Sequence, residues 1–478
     1  MLLSASISTP STSAPWALLL VGGLIVGAGL LWASMRLPLR WLFAACLGLS
    51  ILQGFGPLGY NTVALLFTVA LLPGVVLRTW TRSPSAWAVT LAALAAWQAV
   101  SVLWSFKFGS AAYGVLVSLA LLTCFLLAQR LLVHDRVGFG IAVIAASPLV
   151  VLQAGMVITF RILPSVEEWY LRLPIARYLT EPGVDVIFSG GHQNVLDPDK
   201  AGGFLLNGNI ASLLLVLFAC VYAITALLRQ FKRVSWAIAV LCVVGAMGTG
   251  SKTPLILGAA VPFVVLIYVL AVRRVRLALI TAAIGVAGIG IGFVTINLVK
   301  PEILSESIRT LSERVTLWGL VADKVPEHWF LGMGFGNWRE FMVDRVLSNP
   351  QMIGDPSLRV VPPHNLFAQA WVDAGLVSLL LTLVLALFPI VQGARAIWES
   401  RTDSLRSPKV LIPVVAVLAT LWVLLHGMTD TTLFSGDNHT IPWYAVVVAA
   451  AGFGTRRFTA DATKEVGAAR GRGGSSVE

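Results

Sequence analysis

The stretch PPHNLFAQAWVDAGLVSLLLTLVLALFPIV, residues 362–391, sets a polar junction directly against an apolar run. A bilayer core of about 30 Å requires about 20 consecutive apolar residues in a helix, and Leu366 to Val391 supplies them. A proline pair cannot continue a helix but can start one, so Pro362 and Pro363 place His364 at the first turn of a membrane helix. That position lies at water depth and beside the positive end of the helix dipole. An imidazole so placed is favoured in its neutral form and can take a proton from an incoming hydroxyl, as a transferase working at a membrane surface requires. The plainer alternative is a helix-start histidine that bonds only to loop backbone.

The same pattern recurs along the chain. Hydrophobic residues make up 57% and charged residues 12%, with a mean hydropathy of +0.84, far from a soluble globular balance. Apolar spans fall near 16–33, 38–53, 60–77, 86–104, 110–128, 138–160, 204–228, 234–249, 254–272, 277–299, 365–391, 410–430 and 441–455. The expected fold class is all-α: a polytopic membrane bundle of about 12–13 transmembrane helices, with one or two short or fused spans and a large external loop containing short helices.

Charge sets the expected orientation. With the N-terminus outside, Arg36, Arg40, Arg78, Arg82, Arg130, Arg136, Arg229, Arg233, Arg273–Arg276, Arg395–Lys409 and Arg456–Arg472 fall on the cytoplasmic side, whereas the short external connections carry only Lys107 and Lys252. This is the positive-inside rule. The net charge of +11 therefore reflects topology, and no nucleic-acid partner is expected, because no solvated face interleaves aromatic and basic residues. Residues 1–15 read as an external tail without the basic start of a signal peptide. Residues 16–455 read as one transmembrane domain, and 456–478 as a disordered cytoplasmic tail. Cys46, Cys124, Cys220 and Cys242 lie inside apolar spans without metal-ligand spacing and read as core filler.

Two external segments, 161–203 and 300–363, are too long and polar to be simple turns, and loops of that size usually carry function. The second shows amphipathic character over 315–325, then Gly332, Gly334 and Gly336, then the aromatic stretch from Trp338. It reads as a surface helix, a tight turn and another short helix. On a straight helix following His364, Ala368, Trp371, Gly375 and Ser378 share the histidine face and Asp373 falls opposite. Small Gly375 and Ser378 would let another helix backbone approach.

Cations complete the pattern. In Gly248–Pro254, Ser251 and Lys252 sit in a flexible, hydroxyl-rich turn suited to an anion at the interface; a snorkelling anchor is the alternative. The spacing is one residue too long for a nucleotide P-loop. Arg314, in Ser312–Trp318, offers the planar fork that matches a phosphate, against the alternative of an ion pair with Glu313 or Asp323.

In order along the chain, these elements resemble the O-antigen ligase and polysaccharide polymerase family of bacterial membrane glycosyltransferases, most densely from Asn207 to Leu385. Asn207–Ala211 resembles its asparagine-containing helix start, Ser251–Thr253 its Ser-Arg or Ser-Lys signature, Arg314–Trp318 its Arg-x-x-x-Trp segment and Leu331–Gly336 its Leu-Gly-x-Gly turn. His364, Asn365, Gly375 and Ser378 resemble the pattern His-Asn-x9-Gly-x-x-Gly, with serine at the last glycine. Lys252 stands where ligases more often carry arginine, which leans toward a polymerase.

The resemblance implies inverting transfer of a glycan from an undecaprenyl diphosphate carrier to a hydroxyl of a lipid A core, another carrier-linked glycan or another acceptor. It implies no cofactor, neither ATP nor metal, and a place on the periplasmic face of the bacterial inner membrane, with other polysaccharide assembly proteins as further partners. On that basis His364 is the expected base or positioning group, with Asn365 fixing its ring. Lys252 and Arg314, then Arg339 and Arg345, are expected on the diphosphate. Ser251, Gly375, His426 and Asp430 are expected to support them. A transporter or flippase of lipid-linked glycans would instead place ionisable residues at the bilayer midplane, and a non-catalytic scaffold would tolerate His364→Ala.

Overall fold

The computed structural model describes residues 15–52, 62–80, 85–106, 108–180, 187–188, 196–299, 301–338, 341–342, 362–429, 433 and 439–455. The protein is an all-α polytopic bundle, with no strand among the described residues. Among the described residues, seven helices are long and apolar enough to cross a membrane singly, or eight if Arg136–Ala145 and Ser147–Ile162, bent by 42°, form one span. Fewer helices qualify than a count of apolar runs suggests, because an apolar run need not be one continuous helix. The 62–79 stretch breaks at Leu71 into Thr62–Ala70 and Leu72–Thr79, where Pro73 opens the second helix and has no N–H to continue the first. Leu39–Leu49 has 11 residues, about 16 Å of helix and roughly half a bilayer.

Helices Phe108–His134, Gly208–Leu227 and Ile441–Ala451 form the centre. Lipid tails are as apolar as leucine, so close packing and buried hydrogen bonds hold such a centre together. Trp443 shows both. Its ring lies 4.2 Å from that of Phe218, and its indole donates to the Ser50 hydroxyl at 3.1 Å. His439 is buried there and donates from Nδ1 to the Ser50 carbonyl at 2.6 Å. At the periphery, Val275–Gly292 is almost wholly uncovered by protein.

The bundle has a cationic end. Arg78 donates to the carbonyls of Ser34 and Leu37 at 2.8 and 2.7 Å, and the Arg136 guanidinium lies 5.1 Å from the Phe453 ring. Arg273, at the close of helix Lys252–Arg273, donates to the carbonyls of Ser400 and Asp403 at 3.1 and 2.8 Å, just past helix Leu366–Glu399. Both helices run away from this end: Lys252–Arg273 has 22 residues, about 33 Å, and Leu366–Glu399 has 34 with a break at Ala374 and Gly375.

Candidate functional site

The helix that follows His364 is broken. Leu366–Glu399 leaves helical geometry at Ala374 and at Gly375, whose φ of 72° and ψ of −167° suit glycine alone. The straight-helix expectation for Gly375, Ser378 and Asp373 is corrected here, because the face seen from His364 ends at the break. Nor does Gly375 admit a neighbouring helix. A Cβ there would stand 1.8 Å from the Phe330 carbonyl oxygen, so it is a loop that approaches.

The break frees backbone groups that hydrocarbon cannot satisfy, and the chain answers each from outside the helix. Leu376 N–H donates to the carbonyls of Trp329 and Phe330 at 2.9 and 3.1 Å, and the Val372 carbonyl accepts from Met333 N–H at 2.7 Å. The Ala374 carbonyl accepts the Trp97 indole at 2.7 Å. The glycine turn is thus docked onto the histidine helix by main-chain bonds. Its own shape needs positive φ at Gly332, Gly334 and Gly336. From the other side, Ser105 donates to the Phe335 carbonyl at 2.9 Å and Phe106 N–H to Asn337 Oδ1 at 3.0 Å.

The surface helix expected in the 300–363 segment is Pro301–His328, carrying Arg314. Its apolar face, Leu317, Leu320 and Val321, packs with Trp338, Met342 and Val372 in a small core separate from the main one. Trp318 donates its indole to the Pro363 carbonyl at 3.0 Å. Arg314 precedes Trp318 by four residues and so occupies the same helix face one turn away. Two segments nearly fifty residues apart, Arg314–Trp318 and Pro363–Asn365, therefore meet directly.

His364 lies just outside the helix and not in its first turn. Asn365 is the cap: its Oδ1 accepts from the N–H groups of Phe367 and Ala368 at 3.0 and 3.1 Å, a pairing that satisfies two of the free donors of a helix start. That oxygen is thus committed to its own helix, and Nδ2 faces Met428 Sδ at 4.0 Å. His364 itself has φ of 48°, a left-handed conformation that costs a non-glycine residue about 1 kcal/mol or more and collects at functional sites. It is half-buried between the proline pair and the cap.

The second cationic element is built separately. Asn207 caps helix Gly208–Leu227, its Oδ1 accepting Asn209 N–H at 2.8 Å. Asn209 Oδ1 accepts the Ser251 hydroxyl at 2.6 Å. Gly250, at φ 69°, lets the Asp199 carbonyl approach to where a Cβ would clash, and Ala201 N–H donates to the Thr249 carbonyl at 3.1 Å. The asparagine helix start and the Ser-Lys turn are therefore one unit, with Lys252 exposed at the first residue of its helix. This unit is joined to the 197–201 loop, not bonded to the Pro363–Asn365 junction.

His426 is buried in the last turn of helix Pro408–Gly427, two residues from Met428. Arg339, Arg345 and Asp430 lie outside the described residues.

Three groups escaped sequence reading. Asp373 is 1% exposed and accepts from Gln369 Nε2 at 2.6 Å, one turn past the Asn365 cap, and the Gly336 amide is directed at its carboxylate. An ionisable residue inside an apolar run was the available signal, lost by reading the helix as straight. Trp97, in another span, gave none. Glu167, on Pro164–Arg172 beyond the spans, is 2% exposed, and burial, then the nearby Asp197 charge, pushes its carboxyl up to about 7. Its turn looks like an ordinary exposed one in sequence.

Residues 237–383 match the family model described as O-antigen ligase. The matched stretch contains Ser251, Lys252, Arg314, the glycine turn, His364, Asn365 and Gly375. Asn207–Ala211 precedes it and His426 follows it. No curated protein matches the chain.

Proposed function

We propose that this chain, whose residues 237–383 place it in the O-antigen ligase and polymerase family, transfers a glycan from a polyprenyl diphosphate carrier to an acceptor hydroxyl at the non-cationic end of the bundle. The observation that carries this reading is the bond from Trp318 to the Pro363 carbonyl. It brings a guanidinium one helical turn from the contact and an imidazole one residue from it, an anion holder beside a proton acceptor.

The chemistry asks little more of the protein. Diphosphate is already a good leaving group, so catalysis consists of holding it, offsetting its charge and aligning the acceptor. In one displacement the acceptor oxygen bonds to the anomeric carbon, the bond from that carbon to the diphosphate oxygen breaks, and the hydroxyl proton passes to His364. The anomeric configuration inverts and polyprenyl diphosphate departs. Arg314 provides a bidentate contact to the diphosphate and Lys252 a point charge, with Arg339 and Arg345 as further cations. Asn365, Gln369 and Asp373 hold the helix start and the glycine turn in register. The cationic end is assigned to the cytoplasm in accord with the positive-inside rule, which sets the reaction on the periplasmic face of the inner membrane.

The test is transfer by purified protein, in EDTA, from a carrier-linked glycan to three acceptors offered separately: lipid A core, a second carrier-linked glycan and a simple hydroxyl. A product ladder identifies a polymerase and a single addition a ligase. Absence of transfer to every acceptor, from protein that retains its fold, overturns the reading.

A further inference from the structure

Where the 161–203 segment returns to the bundle it does not stay on the surface. Arg161, in the last turn of helix Ser147–Ile162, holds it at the top, bonding to the Pro198 carbonyl and to the Asp199 carboxylate, the latter at 3.2 Å. The chain then descends, and residues 201–206 are all buried. Gln153 meets them from the middle of the same helix, eight residues before Arg161 and about 12 Å away along the axis. It is itself fully buried; its Nε2 donates to the Gly202 carbonyl at 2.9 Å and its Oε1 accepts Phe204 N–H at 2.8 Å. Main-chain groups carried into an apolar interior must be paired there, and this one amide pairs a donor and an acceptor. The turn it serves is strained, with Gly203 at φ 62° and Leu206 at φ 57°, a conformation that a leucine keeps only where its surroundings impose it. A Cβ on Gly203 would stand 2.6 Å from Gln153 Oε1.

We propose that Gln153 is a positioning residue: by clamping the Gly202–Phe204 turn it fixes the Thr249 carbonyl, and so holds Lys252 where the donor's diphosphate needs it. The inference rests on the diphosphate role assigned to Lys252 above and adds the side chain that sets its place. Two contacts carry the clamp to the cation. Ala201 N–H donates to the Thr249 carbonyl at 3.1 Å. Gly208, the first residue of the next helix, approaches the same carbonyl so closely that a Cβ would stand 2.8 Å from it. Thr249 is two residues before Ser251, whose hydroxyl is bonded to Asn209 in that helix. A glutamine serving its own helix alone would bond within it or to a neighbouring span, whereas both ends of this amide are given to the loop.

The experiment varies the carrier-linked donor against purified wild type, Gln153→Met, Lys252→Ala and the double variant. Methionine keeps the length of glutamine and deletes both bonds. Gln153→Met should raise donor KM about tenfold with kcat within about twofold of wild type. In the Lys252→Ala background, where KM is already raised, it should add less than about twofold, because the two substitutions remove one interaction. Gly203→Ala disturbs the same clamp from the loop side through a single methyl. Taken through the same cycle it should give the same KM rise and the same loss of effect without Lys252, which decides the matter even if Gln153→Met fails to fold. Equal multiplication of KM in both backgrounds, or wild-type KM in Gln153→Met and Gly203→Ala, overturns the proposal and leaves the donor reading standing. Wild-type KM in Lys252→Ala overturns the diphosphate role of Lys252, and the proposal with it.

Discussion

Gly375→Ala removes nothing from the protein except its ability to adopt one backbone conformation. The methyl would stand 1.8 Å from the Phe330 carbonyl oxygen and 2.3 Å from its carbon, so the glycine turn must back away. The conformation itself costs any other residue about 1–3 kcal/mol. Withdrawal also strains the bonds from Leu376 N–H to Trp329 and Phe330 and from Met333 N–H to Val372, each worth about 1 kcal/mol. Together the turn loses roughly 3–5 kcal/mol of local stability, or about 10²–10⁴ in the ratio of docked to undocked turn. Hydrogen exchange should therefore speed up by that order across 329–338 while the buried helix Gly208–Leu227 stays protected, and transfer activity should fall in parallel. Gly155→Ala, where a Cβ meets nothing within 4 Å, is the matched control and should change neither. Wild-type exchange over 329–338 with full activity in Gly375→Ala would refute the view that the helix break seats the site.

Trp318→Phe keeps the ring and deletes the bond to the Pro363 carbonyl; stability should drop by about 1 kcal/mol but kcat by roughly tenfold, read by steady-state transfer and thermal melts side by side. Ser251→Ala leaves Asn209 Oδ1 without its 2.6 Å partner and should raise donor KM severalfold with kcat nearly unchanged, because the turn that carries Lys252 loosens. Glu167 has a folded carboxyl raised from 4.5 to about 7, so the folded state binds more protons than the unfolded state between those values. Stability should thus be greatest below about pH 4.5 and fall, by at most roughly 3 kcal/mol, as pH rises to about 7. Glu167→Gln should flatten that slope in detergent melts and melt higher than wild type at pH 8.

Most of the architecture is legible in composition, because a bilayer imposes one length and one polarity on every span. What composition misses is continuity: Leu71 and the Ala145–Ser147 bend divide apolar runs that hydropathy joins. At the site, residue types were readable but not their partners. Arg314–Trp318 and His364 were each visible, yet the bond that unites them runs through a main-chain carbonyl, which every residue possesses and no sequence marks. Gly375 was read as a small residue for a helix contact, although its positive φ, a property of the backbone, is what the fold uses. Asp373 was dismissed by a helical wheel that the same glycine interrupts. Asn209 and Ser251 were quoted as separate motifs, and their 2.6 Å bond makes them one element.

The central claim is that the imidazole of His364 moves the proton while the guanidinium of Arg314 holds the anion. Steady-state transfer with purified His364→Ala and Arg314→Ala, varying the carrier-linked donor, tests it most directly. Loss of the proton acceptor should lower kcat by about 10²–10⁴ with donor affinity retained, and loss of the guanidinium should raise donor KM tenfold or more. Turnover of both variants within twofold of wild type, at unchanged KM, would contradict it.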